Sequence, residues 1–221
     1  VDLGMKMYEH AKSLGGEYTA ESIKDIKKEN NMFVLISETG KEYLSKTVII
    51  ATGTNRNKLN LPNEKYYLGK GLSYCCTCDG MFFKNKIVAV IGGSSAATMA
   101  ASMLSDIAKK VYIIYRGTQL RGDKTWIDDV IEKKNVEIIY TTVITALEGK
   151  DKLERIKLSK PYNGSEYLDV DGIFVEIGSE PSIDIPSKLG VELDEKGFIK
   201  VLANQSTNID GVWAAGDCTN S

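Results

Sequence analysis

Three of the four cysteines in this chain fall within four residues, Cys75-Cys76-Thr77-Cys78, and a carboxylate, Asp79, follows the last of them. Cys75 and Cys78 have C-x-x-C spacing, which lets two sulfurs reach about 2 Å, so a disulfide can open and close without moving the scaffold. Bridges using Cys76 would close tighter rings, so Cys76 reads as a bystander packed like a small apolar residue. A structural zinc site usually needs four Cys or His ligands. Here only His10 and Cys218 remain, both far away in sequence. Cysteines buried without reacting are the plainer alternative, and Asp79 argues against it, because a carboxylate beside a thiol is placed to move its proton. The expected chemistry is dithiol and disulfide exchange, carried by Cys75, Cys78 and Asp79.

Such a pair needs an electron source, and the next segment has the pattern of one. A strand over 86–91 runs into Gly92-Gly93-Ser94-Ser95-Ala96-Ala97, a helix continues through Ala100, Ala101 and Leu104, and a second strand covers 111–115. This is the βαβ pattern of dinucleotide binding, in which phosphates rest on amides at the helix N-terminus. Ser94 stands where the fingerprint's second glycine would let a pyrophosphate approach. After the second strand comes Arg116, then Arg121 and Lys124, where an acidic residue would select an unphosphorylated ribose. Cations there favour a 2′-phosphate, with a solvated basic face as the alternative.

The remaining elements must hold these groups. Leu3, Met7, Ala11 and Leu14 recur at helical spacing before Gly15-Gly16, and His10 in that helix reads as a surface or half-buried histidine. Strands are expected over 17–22, 32–36 and 41–44, broken at Asn30-Asn31 and Gly40. A buried-type strand over 47–51 ends in Ala51-Thr52-Gly53, a small turn open to a ligand. Leu61-Pro62 and the glycines at 69 and 71 mark a linker. Beyond the βαβ unit follow a helix over 126–134, strands over 136–141, 153–158 and 173–177, and a hairpin turn at 161–164. A hinge is expected at Glu180-Pro181, and the last run ends in Trp213-Ala214-Ala215-Gly216-Asp217.

Composition narrows the class. A chain of 221 residues, 43% hydrophobic, allows one large or two small domains with real cores. A net charge of −2 with no basic stripe gives no nucleic-acid footprint. No apolar run approaches the ~20 residues of a membrane helix. Clustered cysteines without a visible leader peptide fit a reducing cytoplasm.

The order of these pieces resembles the low-molecular-weight thioredoxin reductases, FAD-dependent pyridine nucleotide-disulfide oxidoreductases, over essentially the whole chain. The matching pieces are Ala51-Thr52-Gly53, the run 75–80, the glycine turn at Gly92, the Arg116 and Arg121 pair, Val175-Glu176-Ile177-Gly178 and Ala214-Ala215-Gly216-Asp217. The resemblance implies an α/β protein in which a Rossmann-like nicotinamide-binding domain carrying the C-x-x-C, residues 60–181, is inserted in a three-layer ββα FAD-binding domain. Residues 1–59 and 182–221 would be parts of that second domain, here incomplete, as in an internal fragment with weak flavin retention. It further implies that Cys78 faces the flavin, Asp79 moves its proton, and Cys75 attacks the disulfide of thioredoxin or a glutaredoxin-like protein. Ala51, Thr52, Gly53, Gly216 and Asp217 would contact FAD. Gly92, Gly93, Ser94, Ser95, Ala96, Arg116 and Arg121 would hold NADPH, with NADH possible. Members are usually homodimers.

The chain departs from that family at Ser94, at Tyr115 and Gly117 in place of a histidine and a second arginine, at Met99 and Ala100 in place of acids, and at Cys76 in place of an alanine. Those departures keep a second reading open, a flavin enzyme fed by a non-nicotinamide donor or running as a dithiol oxidase. A non-catalytic module with vestigial cysteines is the third.

Overall fold

The computed structural model describes residues 2–220. In chain order the elements are α1 (Asp2–Ser13), β1 (Ile23–Glu29), β2 (Met32–Ser37), β3 (Glu42–Ser45), β4 (Val48–Ile50), β5 (Thr54–Arg56), α2 (Glu64–Tyr67), β6 (Leu72–Ser73), α3 (Cys76–Asp79), β7 (Ile87–Ile91), α4 (Ser95–Ser105), β8 (Lys110–Ile114), α5 (Lys124–Glu132), β9 (Val136–Ile139), β10 (Ile144–Glu148), β11 (Arg155–Tyr162), β12 (Ser165–Asp169), β13 (Gly172–Val175), β14 (Ser179–Pro181) and β15 (Val212–Ala214). They form two compact units, one running to Thr54 and resuming at Pro181, the other Asn55–Glu180.

The second unit is built on β7, Ile87-Val88-Ala89-Val90-Ile91, whose unbroken apolar run suits a strand covered on both faces. It is the centre of a five-stranded parallel sheet ordered β6-β13-β7-β8-β9. Because side chains alternate along a strand, Val88 and Val90 join Ala97, Ala101 and Leu104 of α4 and Val130 of α5. Ala89 and Ile91 join Leu147, Ile156 and Leu158 of the antiparallel sheet β10-β11-β12 on the other face. Helices, parallel sheet and antiparallel sheet are therefore three layers with two cores. Each fully buried Leu or Ile contributes roughly 1.5–3 kcal/mol to holding them together. Strands β8 and β9 lie to one side of β7, and β13 and β6 to the other. Strand order reverses there, which opens a crevice at the carboxyl ends of β7 and β13.

In the first unit, Asn30 (φ 50°) and Asn31 (φ 62°) supply the two left-handed residues of a tight hairpin between β1 and β2. Strand β3 completes that antiparallel sheet, and β15 pairs in parallel with β4. Phe33, Ile50, Val191, Ile199, Val212, Ala214 and Cys218 form its core.

The structure corrects several element expectations. Residues 17–22 are not a strand; β1 begins at Ile23, because the Asn30-Asn31 turn sets the pairing from Glu29↔Met32 back to Ile23↔Ser37. The strand over 47–51 is half-buried rather than buried, with Ile49 72% exposed and Ile50 inside. The turn expected over 161–164 is only Asn163-Gly164, since β11 extends through Pro161 to Tyr162. Proline is accommodated there by a register shift between Lys157 and Tyr162, where its missing N–H breaks no ladder. The helix α1 forms as expected, and its apolar residues Leu3 and Met7 are exposed, as is Leu14 in the turn just after it.

Candidate active site

The cysteines are placed by the edge of the parallel sheet. Leu72 and Ser73 of β6 pair with Ile173 and Phe174 of β13, and the chain then turns into the one-turn helix α3. Cys75 caps that turn in an extended conformation, its Sγ accepting the Cys78 amide at 3.2 Å while its carbonyl accepts the Asp79 amide at 3.1 Å. Cys75 and Cys78 are joined as a disulfide across a Cα separation of 5.3 Å. Cys78 is exposed and Cys75 half-buried. Cys76 faces inward, 5% exposed in the core with Ala100 and Leu104, its Sγ donating to the Ala100 carbonyl at 3.6 Å. Burial, and secondarily the charge of Glu176, push its thiol up to about 12. The backbone alternation of one helical turn thus separates a reactive pair from an inert thiol.

Ser73, which sequence reading passed over, organises this turn. It is 4% exposed, and its Oγ accepts the Cys75 amide at 3.0 Å and donates to Asp79 Oδ2 at 2.6 Å. Oδ1 of Asp79 has no hydrogen bond among the described residues, so one carboxylate oxygen is anchored and the other is available. In the sequence Ser73 is simply the last residue of a short strand; only the fold of 73–79 shows its role.

The second group of expected site residues meets at the carboxyl ends of β7, β8 and β13, around a cleft of about 900 Å³. Gly92, Gly93, Ser94, Arg116 and Arg121 line it together with Tyr115, Arg56, Glu176 and Gly178. Gly92 (φ 142°) is required: a Cβ there would lie 2.1 Å from the Glu176 carbonyl oxygen. Ser94 is the N-cap residue of α4 and makes no side-chain cap bond. Ser95 and Ala96 sit on the first turn of α4 outside the cleft lining, and the Ser95 hydroxyl is taken by Asp123 at 3.0 Å. Neither Arg116 nor Arg121 has a carboxylate partner among the described residues, so two free guanidiniums face the cleft beside a helix N-terminus. Arg56 behaves differently. It donates to Glu176 Oε2 at 2.8 Å, and Glu176 is 8% exposed. Burial raises the Glu176 carboxyl above its ordinary range and Arg56 pulls it partly back. Sequence reading gave neither residue a role, because the pair spans 120 positions.

In the first unit, β4 and β15 bring two distant pieces together: the Ala215 amide donates to the Ile50 carbonyl at 2.9 Å, and Ala51-Thr52-Gly53 lies beside Gly216 and Asp217 at the carboxyl ends of both strands. Ala51, Thr52, Gly216 and Asp217 are exposed, and a Cβ at Gly53 (φ 65°) or Gly216 (φ 80°) would meet no atom within 4 Å. The Thr52 hydroxyl is held by the Ser182 carbonyl at 2.7 Å. Cys218 is fully buried, its Sγ 3.4 Å from the Ala215 carbonyl. Among the described residues no cluster of His, Cys, Asp and Glu could hold a metal, and no helix is long and apolar enough to cross a membrane.

Residues 4–221 match the family model for pyridine nucleotide-disulphide oxidoreductases. The chain belongs to that family. It is 35% identical to a thioredoxin reductase of Mycoplasma genitalium over 218 residues, 98% of this chain and 69% of that protein. It is 36% identical to the thioredoxin reductase of Borreliella burgdorferi over 221 residues, 99% of this chain and 67% of that protein. Among solved structures it resembles Lactococcus lactis thioredoxin reductase in its FR conformation, with a TM-score of 0.87 and 32% identity over 100% of this chain and 73% of that one. Membership implies FAD and a nicotinamide nucleotide. The residues present fit both groups: the Gly92 turn, the α4 N-terminus and two unpaired arginines suit a nucleotide's phosphates, and the open turns at Gly53 and Gly216 leave room for a cofactor's backbone approach.

Proposed function

We propose that this protein reduces the disulfide of thioredoxin, or of a glutaredoxin-like protein, with electrons from a nicotinamide nucleotide passed through FAD to the Cys75–Cys78 disulfide. The observation that carries the reading is the Cys75–Cys78 disulfide with Asp79 held beside it by Ser73. The unit Asn55–Glu180 is read as the nicotinamide-binding domain and the remainder as part of the flavin-binding domain.

When bound, the flavin supplies the electron pair taken from the nicotinamide. The chain's own residues then handle sulfur and protons. Opening the Cys75–Cys78 disulfide consumes two electrons and one proton and leaves two sulfurs as thiol and thiolate; we read Asp79, the carboxylate next to Cys78 with Oδ2 held by Ser73, as the group that gives or takes that proton. The Cys78 amide that reaches Cys75 Sγ at 3.2 Å stabilises a thiolate on Cys75. That thiolate attacks the partner's disulfide, forming a Cys75–partner mixed disulfide and releasing one partner thiol. Cys78 then attacks Cys75, re-forming the internal disulfide and releasing the partner's second thiol. Exposed Met81 and Phe82, 67% and 74% accessible and just beyond α3, support contact with a protein rather than a small disulfide.

Arg116 and Arg121 support NADPH as donor, because two unpaired cations lie where an acid would select NADH. The buried free thiols of Cys76 and Cys218 support a reducing compartment, and family resemblance supports a homodimer.

The test is an anaerobic titration of the full-length, flavin-loaded protein with NADPH and then NADH, followed by oxidised thioredoxin. Loss of flavin absorbance within about two equivalents of NADPH, two electrons for the Cys75–Cys78 disulfide and two for the flavin, and its return on adding excess oxidised thioredoxin are expected. No bleaching by either nucleotide, with bleaching by a dithiol, would overturn the donor and favour the non-nicotinamide reading.

A further inference from the structure

Tyr115 follows β8 directly, at the position from which a dinucleotide fold addresses the 2′ substituent of the adenosine ribose. Its ring lies along two glycines. A Cβ built on Gly93 would stand 2.5 Å from Tyr115 Cγ and 2.6 Å from both Cδ atoms. One built on Gly117 would stand 2.5 Å from Cε1, 2.7 Å from Cζ and 2.9 Å from the hydroxyl oxygen. Neither glycine has a positive φ, so the backbone does not need glycine at either place; the ring does. The slot is held by backbone bonds on both sides. Arg121 N–H donates to the Gly93 carbonyl at 2.7 Å, Tyr115 N–H to the Ile139 carbonyl at 2.9 Å, and Thr142 N–H to the Tyr115 carbonyl at 3.1 Å. The phenol is thus fixed on the cleft wall between Gly93 and Gly117, and its hydroxyl has no hydrogen-bond partner among the described residues. A half-buried ring fitted to two glycines, its hydroxyl without a protein partner among the described residues, in a cleft that Arg116 and Arg121 also line, is a built recognition surface.

We propose that Tyr115 is a specificity-determining residue of the nucleotide cleft, its hydroxyl donating to the 2′-phosphate of the adenosine ribose while Arg116 and Arg121 supply the charge. Gly93 and Gly117 exist in this role as the slot for the ring. A phenol is neutral, so it adds direction without adding charge, and a hydrogen bond to an ionised phosphate is stronger than one to a ribose hydroxyl. The inference rests on the reading of this cleft as the nicotinamide nucleotide's site.

Titration calorimetry on the full-length protein with 2′,5′-ADP and with 5′-AMP separates the two. The wild type should bind 2′,5′-ADP more tightly than 5′-AMP. Tyr115→Phe keeps the ring in its slot, and we expect it to weaken 2′,5′-ADP about tenfold or more and 5′-AMP less than about twofold. Gly117→Ala displaces the ring without touching the arginines and should lower the same preference. If the wild type binds neither probe, the cleft reading falls and this proposal with it. If the wild type prefers 2′,5′-ADP and both variants keep that preference, or lose both ligands equally, the cleft reading stands and the role of Tyr115 is refuted.

Discussion

Alkylation of the reduced protein at pH 8 resolves the cysteine assignment by rate. The Cys76 thiol, pushed up to about 12 by burial, is ionised in roughly 10⁻⁴ of molecules at that pH, against about one quarter for an unperturbed cysteine. That lowers the thiolate population about 2,000-fold. A more basic thiolate is also a better nucleophile, and a Brønsted slope of about 0.4–0.5 returns roughly 40-fold of the loss. The net expectation is a reaction about 50-fold slower than at an unperturbed thiol, slower still because Cys76 is 5% exposed and reagent must reach it through the core with Ala100 and Leu104. Timed iodoacetamide quenching with peptide mass spectrometry should therefore show Cys78 and Cys75 modified first and Cys76, like the fully buried Cys218, long after them. The Cys76 rate should rise about tenfold per pH unit from 8 towards 11 while the fold persists. In the oxidised protein neither Cys75 nor Cys78 should react. If Cys76 in the folded, reduced protein alkylates within about fivefold of Cys78, both its burial and the Cys75–Cys78 pairing are wrong.

Ser73→Ala removes a donor to Asp79 and leaves the Cys75 amide unpaired; with Asp79 half-exposed, urea denaturation should show a loss of about 2–3 kcal/mol, and thioredoxin turnover should fall at least about tenfold. Arg56→Ala leaves Glu176 buried without its cation, and since half of Arg56 is solvated the cost at neutral pH should be about 1–2 kcal/mol. The sign in pH follows from linkage. A carboxyl whose folded pKa is raised loses stability as pH climbs from its unfolded through its folded value, and removing Arg56 raises the folded value further, so the deficit should be small below the ordinary glutamate range and grow as pH rises above it. Gly92→Ala drives a Cβ to 2.1 Å from the Glu176 carbonyl at φ 142°, so about 3 kcal/mol or more of stability should be lost along with nucleotide binding, read by denaturation and calorimetry.

These perturbations share a cause. The parallel sheet puts reactive groups on its rim and leaves its interior to Val, Ile, Ala and Leu. The disulfide hangs from the edge strand β6, the nucleotide cleft opens where strand order reverses beside β7, and Glu176 and Gly178 reach the same rim from the end of β13. A change at the rim therefore reads out in binding or turnover, whereas a change such as Leu153→Ala, at a fully buried site, would cost about 2–5 kcal/mol of the whole unit.

Local chemistry was legible in the sequence wherever a function depends on neighbours along the chain. The C-x-x-C spacing, the strand, glycine turn and helix of 87–105, and the positive residues after β8 are short-range patterns, and short-range geometry follows from backbone periodicity. The asparagine turn was visible too, although the strand leading into it was placed at 17–22 instead of Ile23–Glu29, because strand ends are set by a partner rather than by propensity. What the tertiary structure decided is everything built from residues far apart. It turned Ser73 towards Asp79, paired Arg56 with Glu176 across 120 positions, buried Cys76 one residue from an exposed turn, and fitted Tyr115 between Gly93 and Gly117. No periodicity encodes those meetings, since each depends on which strands lie side by side and how closely their ends are packed.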